Sequence, residues 1–198
     1  MRRLGLLAVL FAACGGGDSP ADPDGPAVTD GPGETDGPTP DGPSGTFAIT
    51  TPLYNEGGVI PLSMSCEGDN NSPQLDWTGV PANTQSLAII FTDNSNGLIH
   101  SIIFDIPANL TGLPADVDNT FEPADVPGAK QTASYQAQVR GYNGPCPNET
   151  HTYEFRLYAM SVATLPGATM QTSRAMAKTL IEANDLADTA VSGMYTPQ

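Results

Sequence analysis

Positive charge is the scarcest property of this 198-residue chain. Lys and Arg together number seven against 22 Asp and Glu, which gives a formal net charge of −15. A protein that binds nucleic acid presents a basic face, so this composition excludes that class. The same charge repels anions at long range, so any bound anion must be held by local hydrogen-bond donors.

Apolar runs long enough to span a bilayer are also missing. The N-terminal run, Leu4–Ala12, is too short for a membrane helix, follows Arg2 and Arg3, and ends at small residues before Cys14. This arrangement resembles a bacterial lipoprotein signal. We therefore expect a signal peptide over 1–13 and a lipid on Cys14 that anchors the exported protein in the cell envelope, at the periplasm or outer membrane. An ordinary signal peptide with an incidental Cys is the alternative.

Apolar side chains are nearly absent from residues 14–46. Asp-Gly-Pro occurs there four times, and the segment has seven acidic residues and no basic ones. Such a chain cannot bury enough apolar surface to offset the entropy of ordering it. We expect a disordered tether extended by Pro and by charge repulsion.

Residues 47–198 are long enough for one domain with its own core. The apolar patterns predict a mainly β domain. Ser173 or Thr172 can cap a helix that runs to about Asn184, and Asp185 can start a short second helix before Gly193. Residues 108–134 show little regular pattern, which predicts a long loop. The predicted strands are Phe47–Thr50, Leu75–Trp77, Leu87–Thr92, Ile99–Ile106 and Thr152–Val162.

Three ordered motifs between about Phe47 and Tyr195 resemble the phosphatidylethanolamine-binding protein family, in its bacterial Raf-kinase-inhibitor-like branch. The stretch Gly141–Tyr153, with Gly-Tyr-x-Gly-Pro and a later His-x-Tyr, is similar to the family's second signature. The stretch Cys66–Trp77 is similar to its C-x-G-x-x-x-SP-x-L-x-W segment. The stretch Ser86–Asp93, with His100 and the strand after it, is similar to the first signature. The resemblance implies a β-sandwich core with a small C-terminal helical piece.

The resemblance also implies a small anion pocket. Its lining would comprise Asp93, His100, His151 and Tyr153, and its loop wall Gly144, Pro145 and Cys146. Imidazoles and a phenol can donate hydrogen bonds to an anion, and backbone N–H groups of the loop can add to them. This chain has Asp93-Asn94-Ser95 where the family has Asp-Pro-Asp, and Ser101 where it has Trp, so a pocket of altered width or selectivity is expected.

Cysteine is scarce as well. With Cys14 lipidated, Cys66 and Cys146 remain, an even number in an oxidising compartment, and both lie in motifs that border the implied pocket. We predict a disulfide between them. Two buried free thiols are the alternative, because spacing alone does not prove pairing.

The favoured function is a non-enzymatic binding module for a small anion or phospholipid headgroup, without a cofactor. A protein-interaction or protease-inhibitor module is the alternative. A hydrolase using Asp93 with a His is less favoured, because neither a Gly-x-Ser-x-Gly nor an HExxH motif is present. A metal site of two His and one carboxylate is a fourth hypothesis, and no spacing in the chain selects it.

Overall fold

A computed structural model describes residues 45–137 and 139–198. The predicted signal peptide (1–13), the lipidated Cys14 and nearly all of the predicted tether (14–46) lie outside the described residues. Within the described part, no helix has both the length and the apolar character needed to cross a membrane.

The described chain forms nine strands and one α-helix. The strands are β1 (Ala48–Thr50), β2 (Gly58–Val59), β3 (Leu75–Thr78), β4 (Ser86–Asp93), β5 (Leu98–Pro107), β6 (Gly112–Leu113), β7 (Lys130–Gln131), β8 (His151–Met160) and β9 (Asp185–Tyr195). Helix α1 spans Arg174–Glu182, and a short 3-10 turn spans Leu62–Met64.

The strands form two sheets. The smaller sheet has the order β1-β3-β6, and the larger has the order β2-β9-β8-β4-β5-β7. The pairings are antiparallel except that between β2 and β9. A mainly β fold with two sheets and one C-terminal helix is therefore confirmed.

Strand β4 is buried on both faces, which explains its nearly continuous apolar sequence. Successive side chains of a strand point to opposite faces. Leu87, Ile89 and Phe91 join a core that also contains Trp77 and other residues of the smaller sheet. The alternate residues, Ala88 and Ile90, join a second core that contains Ala177 and Ile181 of α1. The larger sheet thus lies between the smaller sheet and the helix.

Helix α1 begins where the sequence predicts. The Ser173 side chain accepts a hydrogen bond from the backbone N–H of Met176, as an N-cap residue does. The helix buries Ala177 and Ile181 against the larger sheet and ends at Glu182, two residues before the predicted end.

The second predicted helix, from Asp185, is wrong, because Asp185–Tyr195 is the long strand β9. It pairs with β8 from Met160 back to His151, which satisfies its backbone groups along the length of the strand. The local signal failed because residues 185–190 are exposed or half-buried and show no alternation. Tertiary pairing outweighs local propensity here. The predicted loop over 108–134 also contains the short strands β6 and β7.

Candidate ligand-binding pocket

The order of strands in the larger sheet brings the predicted site residues together. Strand β4 is antiparallel to both of its neighbours, β5 and β8, so its C-terminal end lies beside their N-terminal ends. Asp93 at the end of β4 pairs directly with Tyr153 of β8. A cavity of about 70 Å³ opens at this sheet edge, and its lining residues are Asp93, Asn96, Leu98, His100, Tyr135, Cys146, Pro147, His151 and Tyr153.

His100 reaches the cavity because of an irregularity in β5. Phe91 pairs with Ser101 and Thr92 pairs with Ile99, so His100 is an extra residue between two regular pairs. A β-bulge of this kind re-aims a side chain. The His100 ring lies edge-on to Phe91, at 5.2 Å between centroids, and to Tyr153, at 5.4 Å.

The environment of His100 favours a neutral ring. Its Nδ1 lies 2.8 Å from the carbonyl oxygen of Asn143, so Nδ1 carries the proton and donates it. Burial lowers the pKa of His100, and the charge of Arg174 acts in the same direction, whereas the Asn143 carbonyl and the Asp93 carboxylate oppose the shift. The neutral ring therefore has Nε2 as its unprotonated nitrogen.

Asp93 orients the second imidazole. Its Oδ2 accepts hydrogen bonds from His151 Nδ1 at 2.6 Å and from Asn96 Nδ2 at 2.9 Å, and its Oδ1 accepts the Ser95 N–H at 2.9 Å. The carboxylate is almost fully buried, whereas the His151 side chain is 17% exposed. Nδ1 of His151 thus bears its proton toward Asp93, and Nε2 is the nitrogen without a partner among the described residues.

Tyr153 and Tyr135 supply the aromatic wall. Tyr153 is buried, and burial together with the nearby Asp93 carboxylate raises the pKa of its hydroxyl far above the ordinary value. The ring of Tyr135 lies 4.5 Å from that of His100. Both phenols therefore stay protonated at neutral pH, and the Tyr153 hydroxyl is a hydrogen-bond donor.

The loop wall, Gly144–Cys146, is hydrogen-bonded to the segment that contains Cys66 and Asn70. Gly144 N–H donates to Asn70 Oδ1 at 2.8 Å, and the Pro145 carbonyl accepts the Cys66 N–H at 3.0 Å. Neither Gly144 nor Pro145 lines the cavity, and the Gly144 N–H already has a partner. Of the three predicted wall residues, Cys146 is the one that reaches the cavity surface.

Cys66 and Cys146 form a disulfide with 5.4 Å between their Cα atoms. This is the predicted pairing, and free thiols at these two positions are thereby excluded. The bond fastens the cavity wall to the loop that follows the 3-10 turn.

The hypothesis of a metal site is not supported by the geometry. Asp93 Oδ2 contacts His151 Nδ1 directly, so the two groups face each other and do not converge on a common point. Over residues 45–137 and 139–198, no group of three His, Cys, Asp or Glu side chains is placed to hold a metal ion.

The molecule is thus a β-sandwich with a small polar pocket at one sheet edge. A sequence model described as phosphatidylethanolamine-binding protein matches residues 50–196. The chain belongs to the phosphatidylethanolamine-binding protein family.

Relatives and solved structures agree with this assignment. UPF0098 protein YbcL of Escherichia coli is 31% identical over 167 residues, which cover 77% of this chain and 88% of YbcL. A Mycobacterium tuberculosis protein named "Putative lipoprotein LppC" is 32% identical over 183 residues, which cover 87% of this chain and 85% of that protein. The crystal structure of YbcL, described as a new member of the mammalian PEBP family, superposes with a TM-score of 0.69 at 28% identity, covering 77% of this chain and 99% of that one.

Sequence reasoning missed several residues that shape the pocket. Asn143 fixes the His100 tautomer and Asn70 accepts a hydrogen bond from Gly144. Neither side chain is titratable, so neither was predicted as a pocket residue. Tyr135 follows directly on the stretch predicted as a long loop. Asn143 was open to detection, because it lies inside the Gly-Tyr-x-Gly-Pro motif itself.

Proposed function

We propose that the domain binds a small anion or phospho-headgroup, without catalysis, in the cavity lined by Asp93, His100 and His151. We also propose that a lipid on Cys14 holds the protein in the bacterial cell envelope. The observation that supports the binding role most strongly is the placement of both of the chain's His residues on one 70 Å³ cavity, with Nδ1 of each already engaged. That volume exceeds the roughly 10–15 Å³ that one water needs by the same kind of measure, so a small polyatomic ion has room.

Proton exchange is part of this binding mode. Among residues 45–137 and 139–198, no Lys or Arg lines the cavity, which contains a buried carboxylate. A neutral imidazole with its proton on Nδ1 offers a bare Nε2 atom, which accepts hydrogen bonds and repels a fully ionised phosphate. The ligand must therefore carry a proton, as a phosphate monoanion does, or one imidazole must take one up. Affinity for phosphate should rise as pH falls from 8 to 6.

Two features favour binding over turnover. Asp93 accepts three hydrogen bonds, so its role is to orient His151 and the Asn94–Gly97 turn. Among the lining residues that the structure describes, Cys146 is the one with a sulfur atom, and its sulfur is in the disulfide and cannot act as a nucleophile.

The lipid anchor rests on the sequence before and at Cys14 and on the match to the protein named as a lipoprotein. Expression of the full chain in a bacterium, followed by mass analysis of its N-terminal peptide, tests it. We expect a diacylglyceryl-modified Cys14 and its loss in Cys14→Ser. An unmodified mature N-terminus would contradict the anchor.

Ligand-dependent melting tests the pocket. The chain from Gly15 onward is heated with inorganic phosphate or phosphoethanolamine, as wild type and as His151→Ala. A ligand at one hundred times its dissociation constant adds about 2.7 kcal/mol to the unfolding free energy. We expect this gain in the wild type, a larger gain at pH 6 than at pH 8, and none in His151→Ala.

Arg156→Gln is the matched control, because it removes a cation that is paired with Glu154 and Asp188 away from the cavity. It should keep the full gain. An equal gain in His151→Ala, or no gain with either ligand, would rule out the proposed site.

A further inference from the structure

A second site is indicated by how the few cations of the domain are used. Five Lys and Arg occur in residues 47–198. Three of them have carboxylate partners, in the pairs Lys130–Asp105, Arg156–Glu154 with Asp188, and Lys178–Glu182. Arg140 and Arg174 have no carboxylate partner among the described residues. Both line the same groove of about 580 Å³.

The two arginines face across this groove from opposite walls. Arg140 Nη1 donates to the Met170 carbonyl at 2.8 Å. Arg174 Nη1 donates in the other direction, to the carbonyls of Ala133, at 3.0 Å, and of Ser134. A guanidinium has five N–H donors, and each of these uses one terminal nitrogen. Nε and Nη2 of both lack partners in the part of the chain that the structure describes, so donors remain for an anion.

The rest of the groove is largely apolar. Leu98 and Met170 line it and are 37% and 45% exposed. Ile99 and Ala175 add further apolar wall. A concave site of roughly 300–1,000 Å³ with apolar walls and a few placed polar groups is the usual form of a small-molecule site. In a chain of net charge −15, two arginines without a carboxylate partner among the described residues favour a negative group by charge complementarity, although the Arg140 guanidinium also lies over the Phe121 ring.

We infer that this groove binds a small amphiphilic anion, a carboxylate or phosphate monoester on a short aliphatic chain. The guanidinium groups of Arg140 and Arg174 take the anionic group, and Leu98 and Met170 contact the chain. Leu98 also lines the 70 Å³ cavity, so the two sites adjoin, but no charged side chain of the described residues lines both. The inference does not depend on the proposed phosphate site.

Amide NMR titration of the chain from Gly15 tests the groove. Octanoate and octyl phosphate are the probes. Octyl glucoside has the chain without the charge, and acetate and inorganic phosphate have the charge without the chain. We expect saturable shifts of the Leu98 and Met170 amides with the two probes. The three comparison compounds should bind at least tenfold more weakly at the Met170 amide. Leu98 also lines the 70 Å³ cavity, so its amide is not used as a readout for inorganic phosphate.

Three variants distinguish binding in this groove from binding elsewhere on the domain. Arg174→Gln should weaken octanoate about tenfold, the loss expected for one hydrogen bond to a charged group. Arg156→Gln, which removes a paired cation elsewhere, and His151→Ala, which removes the phosphate site, should each stay within twofold. A loss of phosphate response in the cavity with octanoate binding intact would then identify the two sites as independent.

Arg174 also links the two walls of the groove, so Arg174→Gln could weaken binding by loosening the fold. Arg174→Lys is therefore a second variant at this position, and a melting experiment checks that it is folded. It should keep most of the affinity, because the charge is retained. The inference is overturned if octyl glucoside binds as tightly as octanoate, if the probes cause no saturable shift, or if Arg156→Gln weakens binding as much as Arg174→Gln. A folded Arg174→Lys that binds as weakly as Arg174→Gln would overturn it too.

Discussion

Removal of the Cys66–Cys146 disulfide should lower stability strongly while leaving the pocket in place. The bond joins residues separated by 80 positions. In the chain-entropy model, a link of this span restricts the unfolded chain by about 4.5 kcal/mol at 25 °C. For a domain of about 150 residues this corresponds to a fall in melting temperature of roughly 9–18 °C.

The folded structure keeps the same two loops together by other contacts. Cys66 N–H donates to the Pro145 carbonyl, Asn70 bonds Gly144, and the Tyr142 hydroxyl donates to the Met64 carbonyl at 2.7 Å. The wall should therefore hold its shape without the covalent bond, because the stabilisation acts mainly on the unfolded chain.

Urea unfolding of the chain from Gly15, with Cys66→Ser and Cys146→Ser combined, measures the loss. A phosphate titration of the same variant measures the pocket. We expect a loss of about 4 kcal/mol in the unfolding free energy and a dissociation constant within threefold of wild type. A loss under about 1 kcal/mol would refute the entropy argument. A tenfold weaker phosphate affinity in the folded variant would refute the claim that the hydrogen bonds alone hold the wall.

Two further changes test the local geometry. His100→Gln should make the free energy of unfolding less sensitive to acid. Burial lowers the pKa of His100, so the unfolded chain takes up this proton first as pH falls below about 6.5. The wild type therefore loses up to about 1.4 kcal/mol of unfolding free energy per pH unit from this group, and the variant does not. Urea midpoints at pH 7.5 and 5.5 measure this, and parallel losses in both proteins would contradict it. Gly144→Ala should cost at least about 2 kcal/mol, because its Cβ would lie 1.8 Å from the Met64 carbonyl oxygen. Gly97→Ala is the comparison, because its Cβ meets no atom of the described residues within 4 Å and only its φ of +77° is unfavourable. It should cost only about 1 kcal/mol, and equal losses in urea unfolding would argue against the clash.

The central strands could be predicted because their side chains carry the signal themselves. The apolar run of β4 reports burial on both faces, and the alternation at the start of β8, from Tyr153 to Leu157, reports burial on one. Ser173 marked the start of α1 through its side-chain cap. Strand β9 could not be predicted, because what fixes it is the backbone pairing with β8, which leaves no periodic trace in residues 185–190.

The pocket, too, has some features that could be predicted from local sequence and others that depend on long-range contacts. His100, His151, Asp93 and Tyr153 could be named from motifs, and their common location follows from antiparallel strand order. What the sequence does not encode locally is which ring nitrogen is engaged and by what. That depends on Asn143 for His100 and on the pairing of β4 with β8 for His151, contacts between residues 43 and 58 positions apart.

The bulge at His100 has a consequence for how this domain can gain or lose its site. Phe91 pairs with Ser101 and Thr92 with Ile99, so deletion of His100 would remove this register shift between β4 and β5, while the second shift, between Leu87 and Ile89, would stay. Leu98 and Ile99 would keep their faces, and neither core would lose a member. A single-codon deletion could thus remove one of the two imidazoles while the scaffold survives, and the reverse insertion could install it. The His100 side of the pocket is in that respect an addition to the sheet, separable from what makes the sheet fold.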